Sequence, residues 1–451
     1  MAENTVTNWF GDVVSHPQVV VEANSTEQII AILRDSAQYP SPVRAVGSNH
    51  STPACGAADG GTLIKMTNMN KIVSITDKTV TAQAGAILFD VAHELEKRNM
   101  QFYVNTEIGS LSMGSAACAG TKDGSFHGEY GQVGSYLTEV EMILPSGEIL
   151  EVDESQPELL QQIRSSYGLF GIVTAATFRI RPILPMAVHH ETFQIADFLK
   201  RLPELWAREA SMMYYIFPFE DLITVEFRKY NPGASGDPNR IVWPLRNYMW
   251  ATAGPKFCYQ VEAEVEDKNI RYGVINNFCG LWRFKLENIV SNDNTIATDQ
   301  IIHYPKVSDD SRYTFSLWAF PEEIYATVLP AYVQFCKDYY QQKGYRTNML
   351  NVGYRISKDQ QSLLSYSYDG SVMTIDPVST RNPGWAEFLD AYNVFCAAQG
   401  GKALLNQTAR LTRSQVQNSL GDRFKQFAAA RKKFDPNNRM LNSYFQDLLA
   451  V

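Results

Sequence analysis

Cysteine is sparse in this sequence, and no two cysteines lie close together. Six of them occur in 451 residues without any C-x-x-C motif, which argues against a zinc ribbon, a thioredoxin-type site or a disulfide scaffold. No apolar run approaches the ~18 residues of a membrane span. Met1 to Thr5 lack the basic stretch that opens a secretory signal. These absences favour a cytoplasmic protein with reduced cysteines.

Positive charge is in deficit, and several familiar site motifs are missing. Forty Lys+Arg face 48 Asp+Glu, and the net charge of −8 argues against a general binder of nucleic acid or anionic membranes, although it is compatible with a local basic pocket. No Rossmann G-x-G-x-x-G, P-loop, H-E-x-x-H or G-x-S-x-G motif is found. Only His189 and His190 are neighbours among seven histidines, so we expect no metal site. With these classes set aside, we expect a small molecule as the binding partner. The sequence defines no oligomeric state.

Capping residues and turns divide the chain into short elements. Ser25 to Gln28 form a capping-box pattern that predicts a helix start, and Lys71 to Ala84 predict a β-hairpin. Pro182 and Pro185 mark a domain boundary. Beyond them the sequence predicts strands at Met213 to Phe217, Leu222 to Arg228, Thr314 to Trp318 and Leu363 to Tyr368, with helices at Glu322 to Gln342 and Trp385 to Ala398. This texture is typical of an α+β domain built on an antiparallel sheet.

Two segments favour a backbone held close to a bulky ligand. Gly109 to Gly134 is rich in Gly, Ser and Ala, but it also contains Leu111 and Phe126, unlike a monotonous polar linker. Gly47 to Ser51 follows a predicted strand, and successive N–H groups there can converge on an anion such as a pyrophosphate. Taken by itself, such a turn more often contains only an exposed histidine.

Five segments, taken together and in order, resemble one family. They are Val43 to Ser51, Val80 to Ala86, Gly109 to Thr121, Gly168 to Thr174 and Asp435 to Tyr444. The first four are similar to V-R-x-x-G-x-x-H-S, V-x-V-x-A-G-x, the small-residue flavin loop and G-x-x-G-[IV]-[IV]-T of the vanillyl-alcohol oxidase/p-cresol methylhydroxylase flavoproteins. The last resembles the closing D-P-x-x-x-x-x-N-x-[YF] segment of the aldonolactone and alditol oxidase branch.

The resemblance implies FAD and an α+β fold in two parts. An FAD-binding domain of the p-cresol methylhydroxylase type is expected over residues 1–185, as two α+β subdomains completed by residues 431–451. An α+β substrate domain with a large antiparallel sheet is expected over residues 186–430. The residues implied in cofactor binding are His50, Gly47, Ser48, Asn49, Ser51, Ser110, Gly114, Ser115, Cys118, Gly120, Thr121, Gly171, Ile172, Val173 and Asn442.

The resemblance also bears on how the flavin is held. In many members the histidine of H-S is bonded covalently to the flavin 8α-carbon, and His50 occupies that place, while some relatives keep the histidine without the bond. Doubly linked members add a cysteine near the start of the small-residue loop. Leu111 to Met113 stand there, and Cys118 falls too late. We therefore expect at most one covalent bond, through His50.

The family mostly oxidises a C–OH carbon by passing hydride to the flavin while a side chain takes the hydroxyl proton. In the aldonolactone and alditol branch the helpers include a Glu before a Pro and a Lys in H-W-x-K. The corresponding stretches are Ile302 to Pro305 and Gly400 to Thr408, where Gln407 replaces that lysine. The candidate catalytic residues are Gln407, Asn406, His303 and Tyr304, with Tyr354 and Arg355 as further candidates. Lys122 and Asp123 are expected to pair with each other and to take no part in the chemistry.

These departures leave the reaction open between related chemistries. The favoured expectation is an FAD-dependent oxidase or dehydrogenase acting on an alcohol or lactone-type carbon, with O₂ or another acceptor reoxidising the flavin. Loss of the expected lysine keeps oxidative cyclisation or desaturation in natural-product biosynthesis as an alternative. A flavin-fold remnant that acts as a binding module is the non-enzymatic alternative.

Overall fold

A computed structural model describes residues 4–234, 242–304 and 309–449. Near the N-terminus, Val19–Glu22, Thr62–Lys65 and Val43–Val46 form a parallel sheet in that order, and Val6–Thr7 pairs with Val14–Ser15. Helix Thr26–Arg34 lies against the sheet and buries its apolar face. The Ser25 hydroxyl accepts the Gln28 N–H at 3.3 Å, as the capping pattern predicts.

A second, antiparallel sheet stands beside the first. Its strand order is Ile149–Asp153, Leu137–Ile143, Ile172–Pro182, Thr79–Gln83 and Ile72–Ile75, and Met100–Phe102 pairs with Ile172–Pro182. The predicted hairpin is confirmed. Around these strands lie the helices Leu88–Glu96, Met113–Cys118 and Pro157–Ile163 and the 3₁₀ turn Val133–Tyr136. The two sheets and their helices share one apolar core.

The middle of the chain forms an eight-stranded antiparallel sheet. Its strand order is Asn292–Thr295, Met186–Gln194, Leu222–Tyr230, Ser211–Phe217, Asn351–Ile356, Val372–Ile375, Trp318–Pro321 and Lys402–Ala403. Helices Ile195–Ala207, Glu322–Lys343 and Trp385–Ala398 cover one face, where Tyr214 belongs to the core beneath them. The neighbouring Tyr215 belongs to the core on the opposite face, since side chains alternate along a strand.

A helical block, which the sequence reading missed, covers that second face. It consists of Val242–Tyr248, the π-helical turn Met249–Ala253, Gly254–Glu264, Lys268–Lys285, the π-helical turn Leu286–Val290 and Ala297–Gln300, with the 3₁₀ turn Asp309–Ser311 beyond. Within this block, the side chains of Trp243, Trp250 and Trp282 are buried. Aromatic side chains, which strands also favour, obscured the helical pattern.

Two predicted strands differ from the structure. Thr314 to Trp318 is divided, because Thr314–Phe315 pairs with Val378–Ser379 whereas Trp318–Pro321 joins the large sheet. Leu363 to Tyr368 is a series of turns, so that prediction is wrong. The backbone N–H of Leu363 donates to Gln161 at 3.1 Å, outside any strand ladder.

The C-terminal segment returns to the N-terminal sheets through helices Arg413–Leu420, Asp422–Phe434 and Ser443–Leu449. The buried Arg44 guanidinium donates to carbonyls of Met440, Tyr167 and Cys55 at 2.6 to 3.1 Å, so it joins three distant segments. The exact domain limits at 185 and 431 stay a prediction. No helix within the described ranges is long and apolar enough to cross a membrane, and no His/Cys/Asp/Glu group in those ranges has metal-site geometry.

Candidate functional site

A cleft of about 1080 Å³ is lined mainly by residues of the N-terminal part of the chain, with Phe315, Asn406 and Gln407 from beyond it. It brings together four segments that are distant in sequence: the turn after the strand Val43–Val46, the small-residue segment with its short helix, the start of Ile172–Pro182, and the loop that carries Asn406 and Gln407. The predicted cofactor residues on its wall are Gly47, Ser48, Asn49, His50, Ser51, Gly114, Ser115, Cys118, Gly120, Thr121, Gly171, Ile172 and Val173.

Two of the predicted cofactor residues do not line this cleft. The Ser110 hydroxyl is buried and accepts the N–H of Tyr304 at 2.9 Å. The Asn442 amide donates to carbonyls of Ala54, Cys55 and Ala57 at 2.9 to 3.2 Å. Ser110 and Asn442 therefore stabilise neighbouring segments through these hydrogen bonds and do not line the cleft themselves.

Small residues allow neighbouring segments of the cleft wall to pack in direct contact. A Cβ added at Gly47 would collide with the side chain of Ser112, and one at Gly114 would lie 2.7 Å from the Cβ of Ala84. The Ser112 hydroxyl caps helix Met113–Cys118 by accepting the Ser115 N–H. Glycine at 47 thus brings the turn directly against the cap of that helix.

The Gly47 to Ser51 turn has the geometry of an anion site. Asn49 has φ 55°, a left-handed conformation that turns neighbouring N–H groups toward one side. No acceptor in the described parts of the chain takes the N–H groups of Ser48 to Ser51. Free backbone donors next to a glycine-rich wall fit a pyrophosphate.

His50 lies among aromatic rings at the cleft wall. Its imidazole stacks on Trp9 with centroids 5.0 Å apart and meets Phe10 edge-on at 5.8 Å. Neither ring nitrogen has a hydrogen-bond partner within residues 4–234, 242–304 and 309–449. Burial lowers the pKa of His50 to about 3, so the ring is neutral near pH 7. The sequence reading did not identify Trp9 or Phe10.

A second cavity of about 640 Å³, called here the chamber, adjoins the cleft. The two share the wall residues Ile108, Leu111, Thr121, Phe315 and Gln407. Most of the remaining chamber wall is apolar or aromatic: Thr106, Glu107, Lys122, Trp250, Ile302, Tyr304, Tyr313, Val352, Tyr354, Asp376 and Val378. The chamber and the cleft therefore lie side by side.

A buried ion pair joins Lys122 to Asp376 on the chamber wall, with side-chain exposures of 9% and 2%. Burial lowers the pKa of Lys122 and raises that of Asp376, and each charge opposes the shift of the other. The Lys122 ammonium lies 4.3 Å from the ring centre of Phe315. The expected pairing of Lys122 with Asp123 is wrong, because Asp123 accepts from Arg228 at 2.8 Å.

A second ion pair and a tyrosine pair complete the polar groups of the chamber. Glu107 pairs with the buried Arg246 and accepts the Tyr354 hydroxyl at 3.3 Å. The hydroxyls of Tyr304 and Tyr313 lie 2.5 Å apart. Burial raises the pKa of Tyr304 well above its ordinary value, so the phenol stays protonated at neutral pH.

The predicted catalytic residues divide between the site and its surroundings. Gln407 lines both cavities with its Oε1 buried and unpaired among the described atoms, and Asn406 lines the cleft while donating to Gly120 at 2.9 Å. Tyr304 lines the chamber. His303 is exposed and stacks on Phe89 at 5.0 Å, outside both cavities. Arg355 binds Glu322 at 2.6 Å and lines neither.

Sequence reasoning missed Glu107, Arg246, Tyr313 and Asp376. The sequence did contain one signal for Asp376. This residue directly follows the apolar strand Val372–Ile375, and an acidic residue so close to a buried strand rarely becomes buried without a partner. No comparable signal marks Glu107.

Comparison with known proteins adds two family matches. Residues 17–153 match an FAD-binding domain, and residues 285–448 match a D-arabinono-1,4-lactone oxidase domain. A putative D-arabinono-1,4-lactone oxidase of Neurospora crassa is 28% identical over 45% of this chain and 35% of that protein. An L-gulono-1,4-lactone dehydrogenase of Mycobacterium tuberculosis is 24% identical over 48% and 50%, and a D-lactate dehydrogenase of Anaerostipes hadrus is 27% identical over 43% and 42%.

The alignments span about half or less of the length of these relatives. A cholesterol oxidase from B. sterolicum superimposes with a TM-score of 0.75 over 99% of this chain and 97% of that chain, at 16% identity. At this identity the likeness shows the fold alone. The predicted fold class, an FAD-binding fold of the p-cresol methylhydroxylase type with a large antiparallel sheet, is confirmed.

Proposed function

Because the chain belongs to the FAD-linked oxidases of the vanillyl-alcohol oxidase/p-cresol methylhydroxylase type, we propose that it binds FAD in the cleft and oxidises an alcohol or lactone-type C–OH carbon held in the chamber. Bound FAD supplies an acceptor for hydride, and O₂ or another acceptor reoxidises it. The observation that carries this proposal is the shared wall of the two cavities. Transfer of hydride needs donor and acceptor in direct contact, at ~3–3.5 Å.

The residues of the cleft fit FAD. The free N–H groups of Ser48 to Ser51 suit the pyrophosphate, and the small residues Ser112 to Thr121 with Gly171 to Val173 allow a flat ring system to approach the backbone. Gln407 and Asn406 can orient or polarise a substrate oxygen, but an amide does not titrate and cannot take a proton. We assign no chemical role to the exposed His303.

We further propose that His50 carries the flavin covalently. Support comes from its position on the cleft wall, its two unpaired ring nitrogens in the described structure, and a pKa of about 3, which keeps a lone pair available on the ring at neutral pH. An N-linked flavin is a stronger oxidant, because the linkage withdraws electrons from the ring.

Anaerobic spectroscopy of the purified protein tests the principal proposal. The protein should show flavin absorption, and a neutral probe such as D-arabinono-1,4-lactone or L-gulono-1,4-lactone should bleach it, with colour returning when air is admitted. Yellow protein that no alcohol, lactone or hydroxy acid bleaches would contradict the proposed oxidation.

A specific observation keeps oxidative cyclisation or desaturation as a second candidate. The lactone-oxidase branch pattern H-W-x-K is replaced here by Leu404, Leu405, Asn406 and Gln407, and both leucines are fully buried. A product two hydrogens lighter than its substrate, with a new ring or C=C bond, would favour this chemistry. Protein that stays colourless after FAD is supplied would instead favour a binding module.

We also propose a cytoplasmic location. All six cysteines are free, as suits a reducing compartment. Fractionation of the source cells, with an antibody against the chain, tests this directly.

A further inference from the structure

The chamber contains a carboxylate that the proposed function leaves without a role. Asp376 is 1% exposed, and its Oδ1 atom has no hydrogen-bond partner within the described ranges, whereas Oδ2 is bound by Lys122. An unpaired oxygen of a buried carboxylate is costly unless a ligand satisfies it. Both residues line the chamber and neither lines the cleft.

We propose that Asp376 Oδ1 receives the hydroxyl of the substrate and takes its proton, and that Lys122 is the positioning residue that holds the carboxylate ionised. This inference rests on the proposed function. In the reaction the alcohol C–H bond breaks with its electron pair passing to the flavin, the O–H bond breaks with its proton passing to Oδ1, and a C=O bond forms. Electrons and protons balance with FAD as the oxidant.

The other groups that face the chamber are poor proton acceptors. Glu107 is bound to Arg246 and already accepts from Tyr354. Burial raises the pKa values of Tyr304, Tyr313 and Tyr354 above their ordinary value, so all three phenols remain protonated. The Gln407 amide does not titrate, and His50, which lines the cleft and not the chamber, has a pKa of about 3. Lys122 is already held in its ion pair with Asp376, so among the described groups that line the chamber Asp376 is left as the base.

The same charges select the kind of substrate. Lys122 is the one cation among the described wall residues of the chamber, and Asp376 already neutralises it. The guanidinium of Arg246 is likewise matched by Glu107. A carboxylate would enter without a free cation, which is unfavourable in a largely apolar cavity. The chamber therefore suits a neutral alcohol or lactone better than a hydroxy acid anion such as D-lactate.

Stopped-flow reduction of the flavin under anaerobic conditions tests the role of Asp376. Asp376→Asn should retain FAD and be reduced by dithionite like the wild type, but its reduction by the best neutral lactone probe should slow by about 10²–10⁴-fold. Asp369→Asn, an exposed carboxylate on the preceding turn, is the control and should react at the wild-type rate. Equal rates in Asp376→Asn and the wild type would overturn the assignment.

The pH profile gives a readout that a structural role would not change. Wild-type reduction should rise with pH through the pKa of Asp376, because the base must be ionised. Lys122→Met removes the opposing positive charge and should move this limb to higher pH, while Asp376→Glu should restore a limb. A flat wild-type profile would overturn the inference even if the variants fail to fold.

Matched probes test the charge preference. Methyl D-lactate should bleach the flavin faster than D-lactate, and L-gulono-1,4-lactone faster than L-gulonate. Faster bleaching by either anion would contradict the selection by charge. If no neutral probe bleaches the wild type, the proposed function itself fails. If the wild type is bleached and Asp376→Asn is bleached equally fast, only the role assigned to Asp376 fails.

Discussion

The imidazole of His50 lies nearly parallel to the indole of Trp9, with ring centroids 5.0 Å apart and planes 16° apart. The two rings stack because the N-terminal segment folds over the turn from Gly47 to Ser51. There the backbone N–H of Trp9 donates to the backbone carbonyl of Asn49 at 2.9 Å. It fixes the plane of the imidazole at the cleft wall. A fixed, neutral ring supports the covalent attachment proposed for His50.

His50→Ala should release the flavin from covalent attachment. Wild-type protein precipitated with acid should stay yellow, and the variant precipitate should be white with free FAD in the supernatant, as absorption spectra will record. His303→Ala is the matched control, because that histidine is exposed and outside the cleft. A white wild-type precipitate would contradict the covalent bond but not the binding of FAD.

Gly47→Ala should weaken the binding of FAD. The new methyl group would collide with Ser112, and overpacking of this kind costs about 1–3 kcal/mol. The turn must move away from helix Met113–Cys118, so we expect an FAD dissociation constant raised at least about tenfold, measured by fluorescence titration of apoprotein. Gly370→Ala, where the added Cβ meets nothing within 4 Å, should bind FAD normally.

Arg44→Gln should destabilise the whole N-terminal region. The guanidinium is buried and donates to carbonyls of three segments, among them Met440 near the C-terminus. Unpaired buried carbonyls cost about 1–3 kcal/mol each, so the melting temperature should fall by several degrees. Arg413→Gln is the control, since it alters an exposed side chain bound to one carbonyl. An unchanged Arg44→Gln melting temperature would contradict this account.

Acid should destabilise the large antiparallel sheet through Glu226. Burial alone would raise the pKa of this carboxyl, but Arg228 and His190 outweigh burial and lower it to about 2. A depressed folded-state pKa stabilises the protein above the ordinary carboxyl pKa of 4.5, and this stabilisation is lost as pH falls toward 2. Glu226→Gln should therefore flatten the decline of the melting temperature between pH 5 and about 2.

The same substitution should also lower stability at pH 7, by about 3–5 kcal/mol, because it removes one partner of a buried ion pair. Glu204→Gln is the control. Its pKa is also lowered to about 2 but the carboxyl is on the surface, so both effects should be negligible. If Glu226→Gln and Glu204→Gln behave alike, the buried network does not contribute as described.

Local sequence features predicted much of the cleft. The small-residue segments and the turn at Gly47 can be recognised along the chain, because glycine and serine are required wherever a backbone packs closely or caps a helix. The hairpin at Lys71 to Ala84 and the helix Trp385–Ala398 follow from periodicity in the same way. The helical block from Val242 to Val290 could not be predicted in this way, because its aromatic residues fit strands equally well.

The sequence by itself determined which segments must lie against a ligand, because their amino-acid types restrict the backbone at each position. The tertiary structure alone decided which charges meet in the chamber. Lys122 and Asp376 are 254 positions apart, and Asp123, the chain neighbour of Lys122, pairs elsewhere with Arg228. Neighbours along a strand or extended segment point to opposite sides, so the partner of a buried charge depends on packing between distant elements, which leaves no local pattern.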